Sequence, residues 1–291
     1  MATTAASAFD EFKERLKLTA PQSSSITARR DATASYAKQA FPSASDLAVA
    51  STKLIGSAAR ETIIRPLDDI DLLVEFSNKG NVFETYRYDS QAFLYRVRDG
   101  LKQFSNVRVV GARGQAVRFF YVDAPHVDVA PVFRWSSGGY ALPNGTGGWL
   151  TTDPDAHAEY IANKHRDLSY NLKPLVKMLK QWNRAHSNYL KSFHLEVMVA
   201  NSFGTLGNNS RDACEKFFGW AQWGISVHDP AGHGGDLSSY LTQLQRQSVI
   251  TNMESARQRA VLANQAEANG NHEEAIRLWR IVFGSEFPTY G

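Results

Sequence analysis

The residues in this chain most able to do chemistry are carboxylates. Asp69-Ile70-Asp71 opens an apolar run that continues Leu72-Leu73-Val74-Glu75-Phe76, and Asp128 stands inside another, Val127-Asp128-Val129. Residues i and i+2 of a strand share a face. Asp69 and Asp71 are therefore expected side by side, with Ile70 on the opposite face. If the strand carrying Asp128 lies next to them, a third carboxylate joins the pair. Three such groups repel one another unless a cation sits among them. Hard divalent ions take oxygen ligands, and Mg²⁺ is commonly held by a few carboxylates plus substrate phosphates. Two such ions can hold the attacking and leaving oxygens of a phosphoryl transfer in line. Asp69, Asp71 and Asp128 are accordingly the expected metal ligands and catalytic residues, with Mg²⁺ or Mn²⁺, two ions, as cofactor.

Gly56-Ser57, after the apolar Leu54-Ile55, supplies the other half of that chemistry. Glycine lets a backbone approach a phosphate closely, and Ser57 adds a hydroxyl and an N–H. A short turn at Ala58-Ala59-Arg60 would aim further N–H groups at the same anion. Taken alone, an Asp-x-Asp is usually a solvated turn, and Asp68 beside it would equally make an acidic loop. The joint pattern is more specific: Gly-Ser, eleven residues, Asp-x-Asp opening a strand, then a lone Asp within another strand.

The elements that must position these residues follow from periodicity. Phe9, Phe12 and Leu16 share a helical face, and residues 28–40 read as a second helix ending near Pro42. Residues 70–76 read as a strand, 88–104 as a helix, and 107–110, 116–122 and 127–133 as β-rich runs. Gly111-Ala112-Arg113-Gly114 suggests a hairpin turn between the first two of those runs. From Pro154 onward the pattern is helical again. The fold class is therefore α+β, a mixed sheet with helices followed by a helical bundle. A boundary is placed in the stretch after the glycine-rich residues 143–148, giving domains 1–152 and 153–291. A cleft between two such halves is a common place for a ligand.

Composition excludes several alternatives. The chain has 291 residues, 43% of them hydrophobic and 21% charged, which suits a folded core. A single cysteine, Cys214, rules out an internal disulfide framework and multi-thiolate zinc sites. Neither a membrane span nor a secretory signal is legible, so a cytoplasmic location is expected. A net charge of +3 is too small to argue for nucleic-acid binding on its own. The eight histidines show no metal-binding pair; His126 is at most a support for the acidic group, and His194 reads as core or cleft lining.

Lys173, Lys177, Lys180 and Arg184 fall on one stripe of a helix that begins near Asn171, opposite Leu175, Met178, Leu179 and Trp182. Like charges at this spacing repel. An anionic ligand would relieve the stripe, and so would nearby carboxylates or salt.

The run from Leu54 through Gly56-Ser57, Glu61-Thr62 and Asp68-Asp69-Ile70-Asp71 to Val74 resembles the DNA polymerase beta nucleotidyltransferase superfamily, and within it the bacterial cGAS/DncV-like nucleotidyltransferases (CD-NTases with a SMODS domain). Residues 172–183, with a lysine before Trp182-Asn183, continue the similarity, as do Lys191-Ser192-Phe193-His194-Leu195-Glu196, Asp229-Pro230-Ala231-Gly232, and the closing Ala275-Ile276-Arg277-Leu278-Trp279. The resemblance implies a polymerase beta-like core plus a helical domain, with the active site in the cleft between them. It implies a synthase that joins ribonucleoside triphosphates, ATP and GTP, into a cyclic di- or trinucleotide messenger and releases pyrophosphate. A mixed purine dinucleotide such as cyclic GMP-AMP is the favoured product. A linear nucleotidyltransferase acting on a protein, RNA or small molecule is the alternative, and a non-catalytic nucleotide-binding protein ranks below it. The resemblance marks Gly56, Ser57, Lys180 and Ser192 as phosphate contacts and Phe193 as a platform for a base. It places such enzymes in CBASS antiphage systems, beside an effector that the messenger activates. The resemblance also allows a conjugating partner, encoded in the same operon, that acts on the C-terminus, and the terminal Gly291 is compatible with that. A monomer without membrane association or a nucleic-acid activator is expected.

Overall fold

The computed structural model describes residues 2–103 and 108–291, of which 108–113 by backbone alone. The helix expected over 88–104 and the strand expected over 107–110 thus each have one end outside the described residues. In chain order the elements are α1 (Ala5–Leu16), α2 (Ala20–Ala40), β1 (Val49–Ile55), the short turn α3 (Gly56–Ala59), β2 (Asp69–Phe76), α4 (Val82–Tyr86), α5 (Ser90–Leu101), β3 (Arg108–Arg113), β4 (Ala116–Phe120), β5 (His126–Arg134), β6 (Tyr140–Pro143), β7 (Trp149–Thr152), α6 (Pro154–Asp167), α7 (Leu172–Ala185), α8 (Ser192–Asn201), α9 (Ser210–Ala221), α10 (Gln243–Ala268) and α11 (His272–Phe283). The α+β class expected from periodicity is what the chain adopts. Among the described residues no helix is long and apolar enough to cross a membrane.

Two compact units divide these elements. The sheet unit comprises residues 18–60 and 66–158; the helical unit comprises 1–17, 61–65 and 159–291. This differs from the single cut at 152/153 expected from the sequence, because two short pieces join the helical unit. One is α1, whose buried Phe9 and Phe12 stack edge-on and tilted against Trp279, Phe283 and Phe287. The other is the segment 61–65, tied to α1 by the Arg65 N–H on the Leu16 carbonyl and to α7 as described below.

In the sheet unit the strand order is β1-β2-β5-β4-β3, with β6 on β5 and β7 on β6. β2 and β5 run parallel, and the other pairs are antiparallel. β2 alternates as its sequence demands. Ile70, Leu72, Val74 and Phe76 are buried, and Phe76 meets Phe41 and Phe93 from the helical layer of α2 and α5. Asp69 and Asp71 fall on the other face. The sheet is thus anchored by one apolar face, while the other holds the polar groups beside a small apolar cluster of Leu73, Val132 and Tyr140.

The helical unit has its own core, built from α1 and α7–α11, with Trp182, Trp279, Phe217, Phe218 and Phe283 fully buried. Cys214 lies within it, and burial pushes its thiol well above the usual range.

Candidate active site

Register brings the acidic residues together. In the parallel β2/β5 pair Asp71 stands opposite Asp128, and Asp69 opposite His126. In the antiparallel β1/β2 pair Ile55 stands opposite Asp71. In β4/β5 Arg118 stands opposite Asp128. A single row across four strands therefore reads Ile55, Asp71, Asp128, Arg118, and Asp69 flanks Asp71 two residues away on the same face. The triad expected from the sequence shares one sheet face.

Gly56 follows Ile55 at the end of that row with φ +68°. A Cβ added there would lie 1.9 Å from Asp71 Oδ2. The backbone of the Gly56-Ser57 turn thus lies directly against a carboxylate, an approach only glycine permits. Ser57 is half-buried at the start of the turn, and Arg60 closes it, its N–H donating to the Gly56 carbonyl at 3.2 Å.

The electrostatics of the face are those of a crowded anion cluster. Burial, then the charges of Asp69 and Asp128, push the Asp71 carboxyl up from 3.8 to about 6, with Arg60 and Arg118 opposing. Asp69 is raised by the same causes, burial first and Asp128 next. Arg118 relieves part of the repulsion. Its Nε donates to Asp128 Oδ1 at 2.5 Å, and its Nη2 donates to Asp128 Oδ2 and, at 2.7 Å, to Asp69 Oδ2.

The donor set, three carboxylates on one face, suits a hard divalent cation. Nearby, the buried His126 Nδ1 has no hydrogen-bond partner, and the ring packs on Phe120 at 4.9 Å. With Arg118 bridging Asp69 and Asp128, no group of three or more acidic, imidazole or thiolate side chains among the described residues is gathered closely enough to grip an ion.

The remaining expected contacts belong to the helical unit. Lys180, 7% exposed, donates to Glu196 Oε1 at 2.7 Å, to the Thr62 carbonyl at 3.1 Å and to Thr62 Oγ1 at 3.2 Å. Thr62 Oγ1 in turn donates to Glu196, itself fully buried. Lys173 donates to Glu61 at 2.6 Å, and Arg184 to the Arg65 carbonyl at 2.7 Å. The cationic stripe of α7 is therefore relieved chiefly by the segment 61–65. Lys177 differs: it is half-buried, its ammonium pKa is lowered by burial, and among the described residues it makes no hydrogen bond or ion pair. Ser192 is exposed at the first position of α8, and Phe193 packs partly buried on the helical core. His194 is core, bonded to the Tyr240 hydroxyl and the Ile225 carbonyl.

Sequence reasoning passed over Arg118 and Arg60. Arg118 had one weak signal, a lone cation inside the otherwise apolar β-run of residues 116–120. Lys177 was seen as part of the stripe but not singled out.

Comparison with known proteins bears on the family and the fold. A probable cyclic nucleotide synthase of Bacillus cereus (strain VD146) is 28% identical over 272 residues, 81% of each chain. The cyclic AMP-AMP-AMP synthase of Acinetobacter sp. (strain ATCC 27244 / 9458) is 29% identical over 260 residues, 81% of this chain and 72% of that one. Among solved structures, CdnC of E. coli MS115-1, in a complex with HORMA-deltaN, superimposes with a TM-score of 0.79 at 19% identity, covering 97% of this chain and 98% of that one. Vibrio cholerae DncV, a cyclic AMP-GMP synthase solved with the linear intermediate 5′ pppA(3′,5′)pG, gives 0.77 at 14%, covering 96% and 97%. Residues 1–165 match the family described as Second Messenger Oligonucleotide or Dinucleotide Synthetase domain, SMODS. With that match spanning more than half of its 291 residues, the chain belongs to the SMODS family.

Proposed function

We propose that the protein joins ribonucleoside triphosphates into a cyclic oligonucleotide, releasing pyrophosphate with each bond. The observation that carries this reading is the placement of the Gly56-Ser57 turn against Asp71, which is in register with Asp128 on the same sheet face. Asp69, Asp71 and Asp128 would hold Mg²⁺ or Mn²⁺, which when bound neutralises phosphate charge and acidifies the attacking hydroxyl. Gly56 keeps the turn open to phosphate oxygens, and Ser57 donates its N–H and hydroxyl to them. Asp71 adjoins the phosphate turn. Asp128, one strand further along the row, would help hold the metal nearest the attacking ribose hydroxyl. Ser192 donates to phosphate, and the Phe193 ring stacks a base, worth about 1–3 kcal/mol.

Lys180 takes an indirect part. Its ammonium holds Thr62 and Glu196, which fixes the segment that follows the phosphate turn in the chain. Positioning and electrostatics then account for most of the rate.

The named relatives bear on the product. Identity of 29% to a cyclic AMP-AMP-AMP synthase favours ATP as a substrate and a three-membered adenine ring. The mixed purine dinucleotide expected from the sequence is the second product to look for. The test is incubation of the purified protein with ATP, GTP, CTP and UTP plus Mg²⁺ or Mn²⁺, then phosphatase and mass spectrometry. A phosphatase-resistant species containing adenine is expected, and its mass gives the ring size. A phosphatase-sensitive product alone would replace this reading with a linear transferase.

A further inference from the structure

Among the described residues, Arg118 forks across two carboxylates of the proposed metal site and takes oxygens a metal would draw on. One planar guanidinium takes both oxygens of Asp128 and one of Asp69. The strand register makes this placement obligatory: Arg118 on β4 is the direct cross-strand partner of Asp128 on β5, so both side chains leave the sheet on one face. Phe120, two residues on, lies beneath the guanidinium at 5.7 Å. The side chain retains 34% exposure, so it has a path toward solvent.

An arginine in this position cannot yield by losing its proton, because guanidinium stays charged throughout the physiological range. A divalent ion drawing on Asp69 and Asp128 would sit beside a fixed positive charge that already uses those oxygens. The two cations therefore compete for Asp128 and for Asp69 Oδ2, and each weakens the other's hold.

We propose that Arg118 is an internal counter-ion of the triad, a positioning residue that competes with the divalent cation for Asp128 and Asp69 Oδ2 and gives up contacts when the metal is held. It keeps the repelling carboxylates assembled without metal, and it weakens metal binding by the free energy of the contacts it gives up. This rests on the reading of Asp69, Asp71 and Asp128 as a metal site. A purely structural tie between β4 and β5 makes a different forecast: its removal would destabilise the protein equally with and without metal, and would leave metal affinity unchanged or lower.

The test is Mn²⁺ titration of the whole purified protein without nucleotide, followed by electron paramagnetic resonance of the free ion. Wild type, Arg118→Gln, Arg118→Lys and Asp71→Asn are compared, with thermal unfolding in EDTA and in Mn²⁺. Losing charge-assisted hydrogen bonds that compete with the ion should tighten Mn²⁺ binding by about tenfold or more in Arg118→Gln. That variant should unfold earlier than wild type in EDTA and regain the wild-type midpoint in Mn²⁺. Arg118→Lys, which keeps the charge and loses the fork, should fall between; it carries the comparison if Arg118→Gln does not fold. Asp71→Asn should bind weakest. Arg118 variants that bind Mn²⁺ no more tightly than wild type, while Asp71→Asn loses binding, would overturn the inference and leave the metal site standing. Absence of Mn²⁺ binding by wild type and every variant at millimolar ion would overturn the metal site and the inference with it.

Discussion

Gly56 shows how one missing side chain can set up a site. Its backbone is left-handed, and the space a Cβ would fill is already taken by Asp71 Oδ2. Gly56→Ala must therefore strain the turn and push a carboxylate out of the row. We expect it to abolish synthesis, as Asp71→Ala should, and to cost about 1–3 kcal/mol of stability from the disfavoured φ and the clash. Ser57→Ala removes one hydroxyl and should leave measurable turnover. Product formation by mass spectrometry and thermal unfolding check the pair; near-normal activity in Gly56→Ala would mean that Asp71 does not act from its present position. These positions were legible because their spacing follows strand geometry: period two places Asp69 with Asp71, and a glycine before the strand-linking turn announces close approach. Arg118 was barely legible, because a lone arginine in a strand has no meaning until the register sets it opposite Asp128.

At the scale of an element, α7 separates what a helix reveals from what it hides. The cationic stripe and the apolar face were both readable from a 3.6-residue period, and the buried Leu175, Met178, Leu179 and Trp182 follow it. What relieves the stripe was not readable, since Glu61, Thr62 and Arg65 lie more than a hundred residues earlier in the chain. The pairings differ sharply in energetic weight. Glu61 is 76% exposed, so Lys173→Ala should cost no more than about 1 kcal/mol. Glu196 is fully buried, and Lys180→Ala would remove the ammonium partner of a buried charge, at a cost of about 3–5 kcal/mol. The double change Lys180→Met with Glu196→Leu removes both charges and should recover most of that loss. Urea unfolding of the three variants decides it. A Lys180→Ala protein as stable as wild type, yet defective in nucleotide use, would return Lys180 to the direct phosphate contact expected from the sequence.

For the whole molecule, the acidic face is a stability cost that depends on pH. An Asp71 carboxyl raised to about 6, against 3.8 in an unfolded chain, binds its proton more tightly when folded. Folding is therefore favoured by this group at low pH. That contribution is lost as pH rises through the interval from about 4 to 6, and it amounts to about 3 kcal/mol above it. Asp69, also raised, adds in the same direction. Glu61 and Glu75, held low first of all by Lys173 and Arg134, work the opposite way and lose their contribution as pH falls below the ordinary carboxylate range. Between pH 4.5 and 7 the triad should dominate, so protein in EDTA should become less stable across that window. A bound divalent ion favours the ionised carboxylates and should cancel the decline, with proton release on binding below about pH 6. Asp71→Asn should flatten the profile in EDTA and raise stability at pH 7, because it keeps the packing and discards the charge. Urea unfolding at pH 4.5, 5.5 and 7, with EDTA and with Mg²⁺, measures each of these differences. An Asp71→Asn profile parallel to wild type would show that the carboxylate is already compensated when metal-free, and the crowding on this face would then be no obstacle to folding.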